Sequence, residues 1–235
     1  MTNQPFTLIC LPFAGSGASF YRAWPPAPFD GPGRVLAVQL PGREELFAED
    51  PFDDVQSAGA ALVPGVLVEA DPASPLVLFG HSLGAVIAYE MARAIERSHP
   101  GRLSHLYVSG SPGPQGGRAE RATGLDEEEF LARVHEFAGY RHDAFDVPEL
   151  REILLPVLRA DVAMHENYQP ADGETLSAPI TALRGADDLL VSARQAREWA
   201  DWTQGAFAYQ ELPGSHMYLT ESPVPLLRVL SGTRL

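Results

Sequence analysis

The stretch Leu76–Ile95, LVLFGHSLGAVIAYEMARAI, decides the fold of this chain. It opens with four apolar residues and then Gly80, which is the pattern of a short strand buried on both faces. After the glycine-flanked turn, Ala, Met and Ile recur at helical spacing, which predicts a helix over Leu83–Arg97. This stretch therefore predicts a buried strand, a tight turn and a helix, in that order.

The pattern outside this unit repeats the alternation of strand and helix. Further short apolar runs predict strands at Phe6–Leu11, Arg34–Leu40, Leu103–Ser109, Ile180–Leu183 and Phe207–Leu212, in addition to Leu76–Phe79. Helical periodicity lies between them, at Asp53–Ala70, Ala193–Trp202 and Val224–Leu230. Pro64 is expected to kink or interrupt the first of these helices. The alternation predicts an α/β fold with a mostly parallel central sheet and helices on both faces.

One segment, Gly113 to about Asp172, breaks the alternation because it contains no convincing strand. After a Gly/Pro-rich loop, acidic residues at Asp126–Glu129 favour the first turn of a helix. Two more helices are predicted near Pro148–Leu155 and Val157–Tyr168. We interpret residues 113–172 as a helical insertion in a single domain spanning residues 1–235. The insertion is either a set of extra core helices or a lid over a site.

Composition and charge exclude several function classes. The chain has 17 basic and 31 acidic residues, a net charge of −14, and every basic residue is arginine. Nucleic-acid binding is not expected from so acidic a chain, and chemistry that needs a P-loop or Schiff-base lysine is excluded. With Cys10 as the only cysteine, no disulfide framework and no cysteine-based zinc site are predicted, and we expect neither a metal nor a cofactor.

The expected location is the cytoplasm. No apolar run reaches 18 residues, and Met1–Ala18 carries neither Lys nor Arg and no signal-peptide pattern. These features predict a protein that does not bind a membrane. A monomer is the default expectation.

The turn after the central strand carries the first chemical motif. Gly80-His81-Ser82-Leu83-Gly84 fits G-x-S-x-G between a predicted strand and helix, which is the setting of a nucleophile elbow. Side chains at either flanking glycine would collide with neighbouring backbone in so tight a turn. The alternative is a strand–helix turn in which the serine only caps the helix.

A serine nucleophile needs a base and an acid to orient it. Of seven histidines, His216 follows the last predicted strand, whereas the others lie beside the serine, in the insertion or near another turn. The penultimate strand is followed by Asp187 and Asp188. The order Ser82, Asp, His216 is that of the α/β-hydrolase fold. We favour Asp188, because the acid in that fold commonly stands three residues after the glycine here at Gly185; Asp187 is the alternative.

An oxyanion hole needs two backbone N–H groups. One is expected from Leu83, directly after the nucleophile. The other is expected from Ala14, in the glycine-containing loop after the first strand, where glycines let backbone approach a substrate.

Nearly the whole chain resembles the stand-alone type II thioesterases of polyketide and nonribosomal peptide assembly lines. The stretches that carry the resemblance are LPFAGSGASFYRAW (11–24), QLPGRE (39–44), GHSLGA (80–85), LPVLRAD (155–161), GADDLLVS (185–192) and PGSHMYL (213–219). The resemblance implies hydrolysis of acyl thioesters from the phosphopantetheine arm of an acyl or peptidyl carrier protein, in order to clear misprimed or stalled chains. It also implies that the helical insertion is a lid over the acyl site.

The sequence leaves two alternative roles open for Phe13 and for Arg43. Phe13 lines the acyl pocket or belongs to the core. Arg43 contacts the carrier or its arm, or pairs with Glu44 or Glu45. A structural salt bridge or cap is favoured for Arg159 and Asp161. Arginines of the insertion that could dock a carrier are Arg118, Arg121, Arg133 and Arg141.

The segment 138–143, AGYRHD, departs from the usual lid sequence of these thioesterases. No chain-length preference is therefore predicted. Two other functions use the same residues or the same fold: a carboxylesterase or lipase acting on free small esters, and a hydrolase-fold binding protein without turnover.

Overall fold

The computed structural model describes residues 6–24, 34–116, 121–138, 143–171 and 173–233 of the chain. Within these ranges six strands form one sheet in the order β2-β1-β3-β4-β5-β6, and every neighbouring pair is parallel. The strands are β1 (Thr7–Leu11), β2 (Arg34–Ala37), β3 (Leu76–His81), β4 (Leu103–Ser109), β5 (Ile180–Gly185) and β6 (Phe207–Leu212). The parallel sheet predicted from the apolar runs is confirmed.

Helices alternate with the strands, as the sequence pattern predicts, and the last two helices follow β6. They are α1 (Ala18–Arg22), α2 (Val55–Glu69), α3 (Leu83–Ser98), α4 (Glu127–Ala138), α5 (Pro148–Asn167), α6 (Ala193–Arg197), α7 (Tyr218–Glu221) and α8 (Val224–Ser231). Short 3₁₀ turns occur at Glu44–Leu46, Asp143–Asp146 and Glu198–Trp202. The predicted helix Ala193–Trp202 is therefore divided between α6 and a 3₁₀ turn.

Both faces of the sheet are buried, because successive side chains of a strand point to opposite faces. In β1, Ile9 and Leu11 pack into the core on the side of α2 and α3. Leu8 and Cys10 pack into the core on the side of α8. Helices therefore cover the sheet on both sides, and the continuous apolar runs of the inner strands β1, β3 and β5 follow from this double burial.

Two prolines lie inside helices without ending them. Pro64 lies within α2, and Pro156 lies within α5. The predicted interruption at Pro64 is wrong, and so is the prediction of two separate helices on either side of Pro156. Each proline is exposed, while Val63 and Leu155 beside them are buried. Packing on both sides of each proline offsets the lost backbone hydrogen bond.

The insertion between β4 and β5 contains no strand in its described residues. We call α4, the turn Asp143–Asp146 and α5 the lid. Its helices share a small apolar core that includes Phe130, Leu158 and Val162 and contacts Ala14 of the loop after β1. The lid therefore packs against the edge of the sheet where the strands end. None of the helices in the described residues is long and apolar enough to cross a membrane.

Candidate active site

The serine of the G-x-S-x-G motif lies at a sharp turn between β3 and α3. Ser82 has φ 54° and ψ −116°, a conformation that L residues rarely adopt. A Cβ at Gly80 would lie 1.9 Å from the Gly84 carbonyl oxygen, and a Cβ at Gly84 would lie 2.4 Å from the Leu11 carbonyl oxygen. The two flanking glycines are therefore required by the close packing of this turn, as its sequence predicts.

Asp188 and His216 are brought together from the ends of β5 and β6. Asp188 Oδ2 lies 2.9 Å from His216 Nδ1, and both side chains are buried. Asp188 Oδ1 accepts hydrogen bonds from the backbone N–H groups of Leu190 (2.8 Å) and Val191 (3.0 Å). Asp187 is exposed. The structure thus pairs His216 with the favoured aspartate and leaves the alternative in solvent.

The surroundings of Asp188 hold it ionised. Burial alone would raise the pKa of its carboxyl group. The hydrogen bond and charge interaction with His216, together with the N–H groups of Val191 and Leu190, outweigh burial and lower the pKa. A carboxylate in this position orients the imidazole and stabilises its protonated form.

Gly185 and Arg184, the last two residues of β5, fix the loop that carries Asp188. A Cβ at Gly185 would lie 2.0 Å from the Ser215 carbonyl oxygen, so the acid and histidine loops approach closely. The buried guanidinium of Arg184 donates to the backbone carbonyls of Asp188 (2.8 Å) and Val191 (2.9 Å). The only signal in the sequence was the position of this Arg-Gly pair at the end of a strand.

His81 lies behind Ser82 and His216. It is fully buried, its Nδ1 lies 2.9 Å from Ser109 Oγ, and that hydroxyl lies 2.7 Å from the Tyr218 hydroxyl. Its ring centroid is 4.9 Å from that of His216. These contacts make His81 part of the packing that supports the His216 ring.

Ser82 and His216 line one cavity of about 840 Å³. Ala14 also lines it, and Leu83 begins α3 beside it. The first N–H groups of a helix have no acceptor within the helix, so the Leu83 N–H is available to a ligand. The geometry is compatible with the predicted oxyanion donors, whose role stays a prediction.

The lid supplies much of the apolar wall of this cavity. The apolar residues that it contributes are Leu131, Ala132, Val134, Phe137, Phe145, Leu154, Leu158 and Val162. Phe13 lines the cavity as well, is only 8% exposed, and packs edge-on against Phe20 with 5.1 Å between ring centroids. Phe13 therefore occupies both of its predicted positions, because it belongs to the core and also lines the cavity wall.

Arg43 is not among the described residues that line the cavity. Its buried guanidinium binds Asp161 of α5 in a two-point ion pair, with N–O distances of 2.6 and 2.8 Å. The predicted pairing with Glu44 or Glu45 is wrong. The guanidinium turns inward because the Pro41 and Ser16 carbonyls and a buried carboxylate can accept its protons there.

The structural role predicted for Asp161 is confirmed by this ion pair. Arg159 instead donates to the Leu125 carbonyl (3.0 Å) and lies over the Phe130 ring, 4.3 Å from its centroid. It forms no ion pair in the described part of the chain.

Glu44 is a cavity residue that sequence reasoning missed. It has φ 48°, and its carboxylate accepts a hydrogen bond from the Ser19 N–H at 3.2 Å. Gly17 makes room for this carboxylate, because a Cβ there would lie 2.2 Å from Glu44 Oε1. The motif QLPGRE marked the segment, but nothing in it showed which of its charged side chains faces the cavity.

The arginines considered for docking have carboxylate neighbours where they are described. Arg121 lies 3.5 Å from Glu166, and Arg133 lies 3.5 Å from Glu136. Arg118 and Arg141 lie outside the described residues. Among the described residues, no group of three or more His, Cys, Asp or Glu side chains is arranged to hold a metal ion.

Comparison with known proteins places this chain in a family. The Thioesterase domain model matches residues 6–232. The gramicidin S biosynthesis protein GrsT of Aneurinibacillus migulanus is 34% identical over 95% of this chain and 86% of its own length. The thioesterase PikA5 of Streptomyces venezuelae is 32% identical over 93% of this chain and 77% of its own length.

Solved structures give the same result. The type II thioesterase BorB of the borrelidin cluster superposes with a TM-score of 0.81 at 34% identity, covering 98% of this chain and 91% of BorB. RedJ, the thioesterase of the prodiginine pathway in Streptomyces coelicolor, gives 0.84 at 30% identity, covering 98% and 88%. With its parallel sheet and nucleophile elbow, the chain has the α/β-hydrolase fold and belongs to the thioesterase family, among the type II thioesterases of polyketide and nonribosomal peptide pathways.

Proposed function

We propose that this thioesterase removes acyl groups from the phosphopantetheine arm of acyl or peptidyl carrier proteins, using Ser82, His216 and Asp188. The observation that carries the proposal is the arrangement of the site. Ser82, at its strained turn, and His216, paired with the buried Asp188, line one cavity beneath an apolar lid. A serine, its base and the orienting acid are the groups that acyl transfer requires.

In the first half of the proposed reaction, Ser82 Oγ attacks the thioester carbonyl carbon. His216 Nε2 takes the hydroxyl proton, while Asp188 holds Nδ1–H and stabilises the imidazolium. The carbonyl oxygen becomes an oxyanion that accepts hydrogen bonds from the Ala14 and Leu83 N–H groups. The C–S bond then breaks, His216 returns its proton to the sulfur, and the free thiol arm leaves an acyl ester on Ser82.

In the second half, water attacks the acyl-Ser82 ester. His216 removes a proton from this water, the same two N–H groups bind the oxyanion, and His216 then protonates Ser82 Oγ as the ester bond breaks. The products are a carboxylic acid and the free enzyme. We propose that no metal or cofactor takes part and that the enzyme works as a monomer in the cytoplasm.

The substrate class follows from the cavity and the relatives together. An apolar lid wall suits an aliphatic or aromatic acyl chain, since burial of apolar surface stabilises binding. The relatives GrsT and PikA5 are a gramicidin S biosynthesis protein and a thioesterase. We therefore propose an editing role in which misprimed or stalled acyl groups are hydrolysed.

Docking of a carrier cannot depend on the overall field of the protein. Carrier proteins tend to be acidic, and this chain has a net charge of −14, so long-range repulsion slows their encounter. Arg121 and Arg133 already lie near carboxylates. We propose that docking uses local contacts around the cavity mouth.

Intact-mass spectrometry of acyl-loaded carrier protein tests the proposal. Wild type and Ser82→Ala would be compared on acetyl and longer acyl groups, with a free oxygen ester measured alongside. We expect rapid unloading by wild type and a loss of several powers of ten in the variant. Slow unloading with fast ester hydrolysis would indicate an esterase, and activity on neither would indicate a binding protein.

A further inference from the structure

We infer that Asp161 of the lid is a positioning residue for the oxyanion loop, which we define as Pro12–Gly17. This inference rests on the proposed function insofar as the Ala14 N–H is an oxyanion donor. Asp161 is 1% exposed and does not line the cavity in the described part of the chain. It acts through the backbone of Gly15 and Ser16, directly after Ala14.

The Asp161 carboxylate joins the lid to this loop directly. Its Oδ2 accepts a hydrogen bond from the Gly15 N–H at 2.8 Å. The same oxygen lies 2.6 Å from Arg43 Nη1, and Oδ1 lies 2.8 Å from Arg43 Nη2. Arg43 Nη1 also donates to the Ser16 carbonyl at 3.0 Å. The ion pair therefore holds the loop at two points, one N–H and one C=O.

The peptide planes on both sides of Ala14 are fixed by these and neighbouring bonds. The Gly15 N–H belongs to the peptide that follows Ala14, and Asp161 sets its direction. In the peptide that precedes Ala14, the Phe13 carbonyl accepts from Ser16 N–H (3.0 Å) and Ser16 Oγ (2.7 Å). In a planar trans peptide the N–H points opposite to the C=O. Fixing the Phe13 carbonyl therefore also fixes the direction of the Ala14 N–H.

A second contact from the same face of α5 restrains the loop. Gly15 has φ +76°, and a Cβ on it would lie 3.0 Å from Leu158 Cδ1. Leu158 and Asp161 are three residues apart, so they lie on one face of the helix. Leu158 thus packs on the loop residue whose N–H is bound by Asp161.

The lid consequently has two functions in one helix. Leu154 and Leu158 of α5 form part of the acyl cavity, while Asp161 of the same helix orients the loop that carries an oxyanion donor. Displacement of α5 would remove the acceptor of the Gly15 N–H as well as the cavity wall. Full stabilisation of the transition state therefore requires α5 to be packed against the oxyanion loop.

The test compares two neutral replacements of the ion pair. Arg43→Met with Asp161→Leu removes both charges and leaves the Gly15 N–H without its acceptor. Arg43→Gln with Asp161→Asn also removes both charges but keeps an amide oxygen at position 161. Arg159→Ala is the matched control, because it removes another α5 contact that does not involve the oxyanion loop. Melting temperatures and near-ultraviolet circular dichroism establish that each variant is folded.

The readouts are steady-state hydrolysis of a p-nitrophenyl ester and inhibition by an alkyl boronic acid, which forms a tetrahedral adduct on Ser82. We expect the Met/Leu variant to lose about 10- to 100-fold in kcat, with KM changed less than about threefold and boronic acid affinity lowered in parallel. The Gln/Asn variant should retain most of both, and Arg159→Ala should match wild type.

Three results would overturn the inference: a folded Met/Leu variant with wild-type kcat, a change in KM alone, or equal losses in the two double variants. The p-nitrophenyl ester keeps this test separate from the proposed function. If wild type hydrolyses the ester but unloads no carrier protein, the carrier substrate is wrong while the role of Asp161 is still measured. If only the Asp161 comparison fails, the carrier proposal stands.

Discussion

The residues of the turn around Ser82 show how close contacts between backbone segments constrain the sequence. Ser82 adopts a positive φ, and α3 begins directly after it. Strain of this kind persists only where surrounding packing maintains it, and here β1 comes within van der Waals contact of Gly84. The serine and the oxyanion loop are therefore held by the same close contact between β1 and α3.

Gly84→Ala tests this contact. The new methyl group would lie 2.4 Å from the Leu11 carbonyl oxygen and 2.7 Å from that of Pro12, so the backbone must move. We expect a loss of about 1–3 kcal/mol in the free energy of unfolding, since this is overpacking against backbone, and at least a tenfold loss of kcat. Urea denaturation and ester hydrolysis measure the two effects.

Gly65→Ala is the matched control for that substitution. Gly65 lies in α2, and a Cβ there meets nothing within 4 Å. Alanine should raise stability by about 0.5–1 kcal/mol through helix propensity, with activity unchanged. Similar behaviour of the two alanine variants would contradict the steric account.

The two adjacent aspartates offer a second prediction. Asp188→Asn removes the acceptor that fixes the His216 tautomer, so kcat should fall by about 10³- to 10⁴-fold with little change in fold. Asp187→Asn changes an exposed side chain and should leave kcat within about twofold. Parallel kinetics on one thioester would measure both, and comparable losses at the two positions would refute the assignment of Asp188.

On the scale of single residues, the sequence could predict those site residues whose order along the chain is typical of the fold. Ser82, Asp188 and His216 each follow a strand, and parallel strands bring their carboxyl ends to one edge. Arg43 and Asp161 lie 118 positions apart, and their ion pair depends on how α5 is seated. No local pattern encodes that distance, so the sequence indicated a structural role for Asp161 without its partner.

Among the elements, the lid helix α5 departs most from its local sequence signals. Pro156 favours a break in the helix, yet the helix runs from Pro148 to Asn167. The buried Leu155 and Leu158 lie on either side of the break point and pack in the lid core. Local rules for proline do not include this tertiary packing. The inner strands β1, β3 and β5 were predicted well because their burial on both faces leaves a strong apolar signal.

The lid wall should set the acyl chain length that the enzyme accepts. Val134 of α4 lines the cavity, so Val134→Trp should fill part of its volume of about 840 Å³. We expect kcat/KM for long acyl thioesters to fall about tenfold or more, while acetyl thioesters change little. A series of acyl thioesters of increasing length provides the measurement.

Val147→Trp is the control for this wall substitution. Val147 is 43% exposed, precedes α5, and does not line the cavity in the described residues. It should leave the chain-length profile unchanged. Equal losses for short and long substrates in Val134→Trp would show that the lid wall does not set chain length.

On the scale of the whole molecule, acid should weaken the fold through at least the partly buried His105 and the buried Asp188. His105 in β4 stacks on Tyr107, and its Nε2 lies 2.8 Å from Thr181 Oγ1 in β5. Burial lowers the pKa of His105 from 6.5 to about 4. The pKa of Asp188 is also lowered, so its stabilising effect is lost only in stronger acid.

The direction of the His105 effect follows from proton binding. In the unfolded chain His105 binds a proton below pH 6.5, whereas in the folded protein it binds one only near pH 4. The free energy of unfolding therefore falls as the pH falls from 6.5 towards 4. Between pH 7 and pH 5 the two pKa values imply a loss of about 2 kcal/mol from this residue. His105→Gln keeps a polar group near Thr181 but cannot titrate.

Urea denaturation of wild type and His105→Gln at pH 7 and pH 5 isolates this contribution, because the other histidines and the carboxyl groups are common to both proteins. We expect the variant to be the less stable protein at pH 7, owing to lost packing on Tyr107, but to lose about 2 kcal/mol less than wild type on acidification. The quantity to compare is the change in the free energy of unfolding between pH 7 and pH 5 in each protein, since the lost packing lowers stability equally at both pH values. An identical pH dependence of stability in the two proteins would mean that His105 is protonated in the fold well above pH 5, and that β4 and β5 tolerate a charge between them.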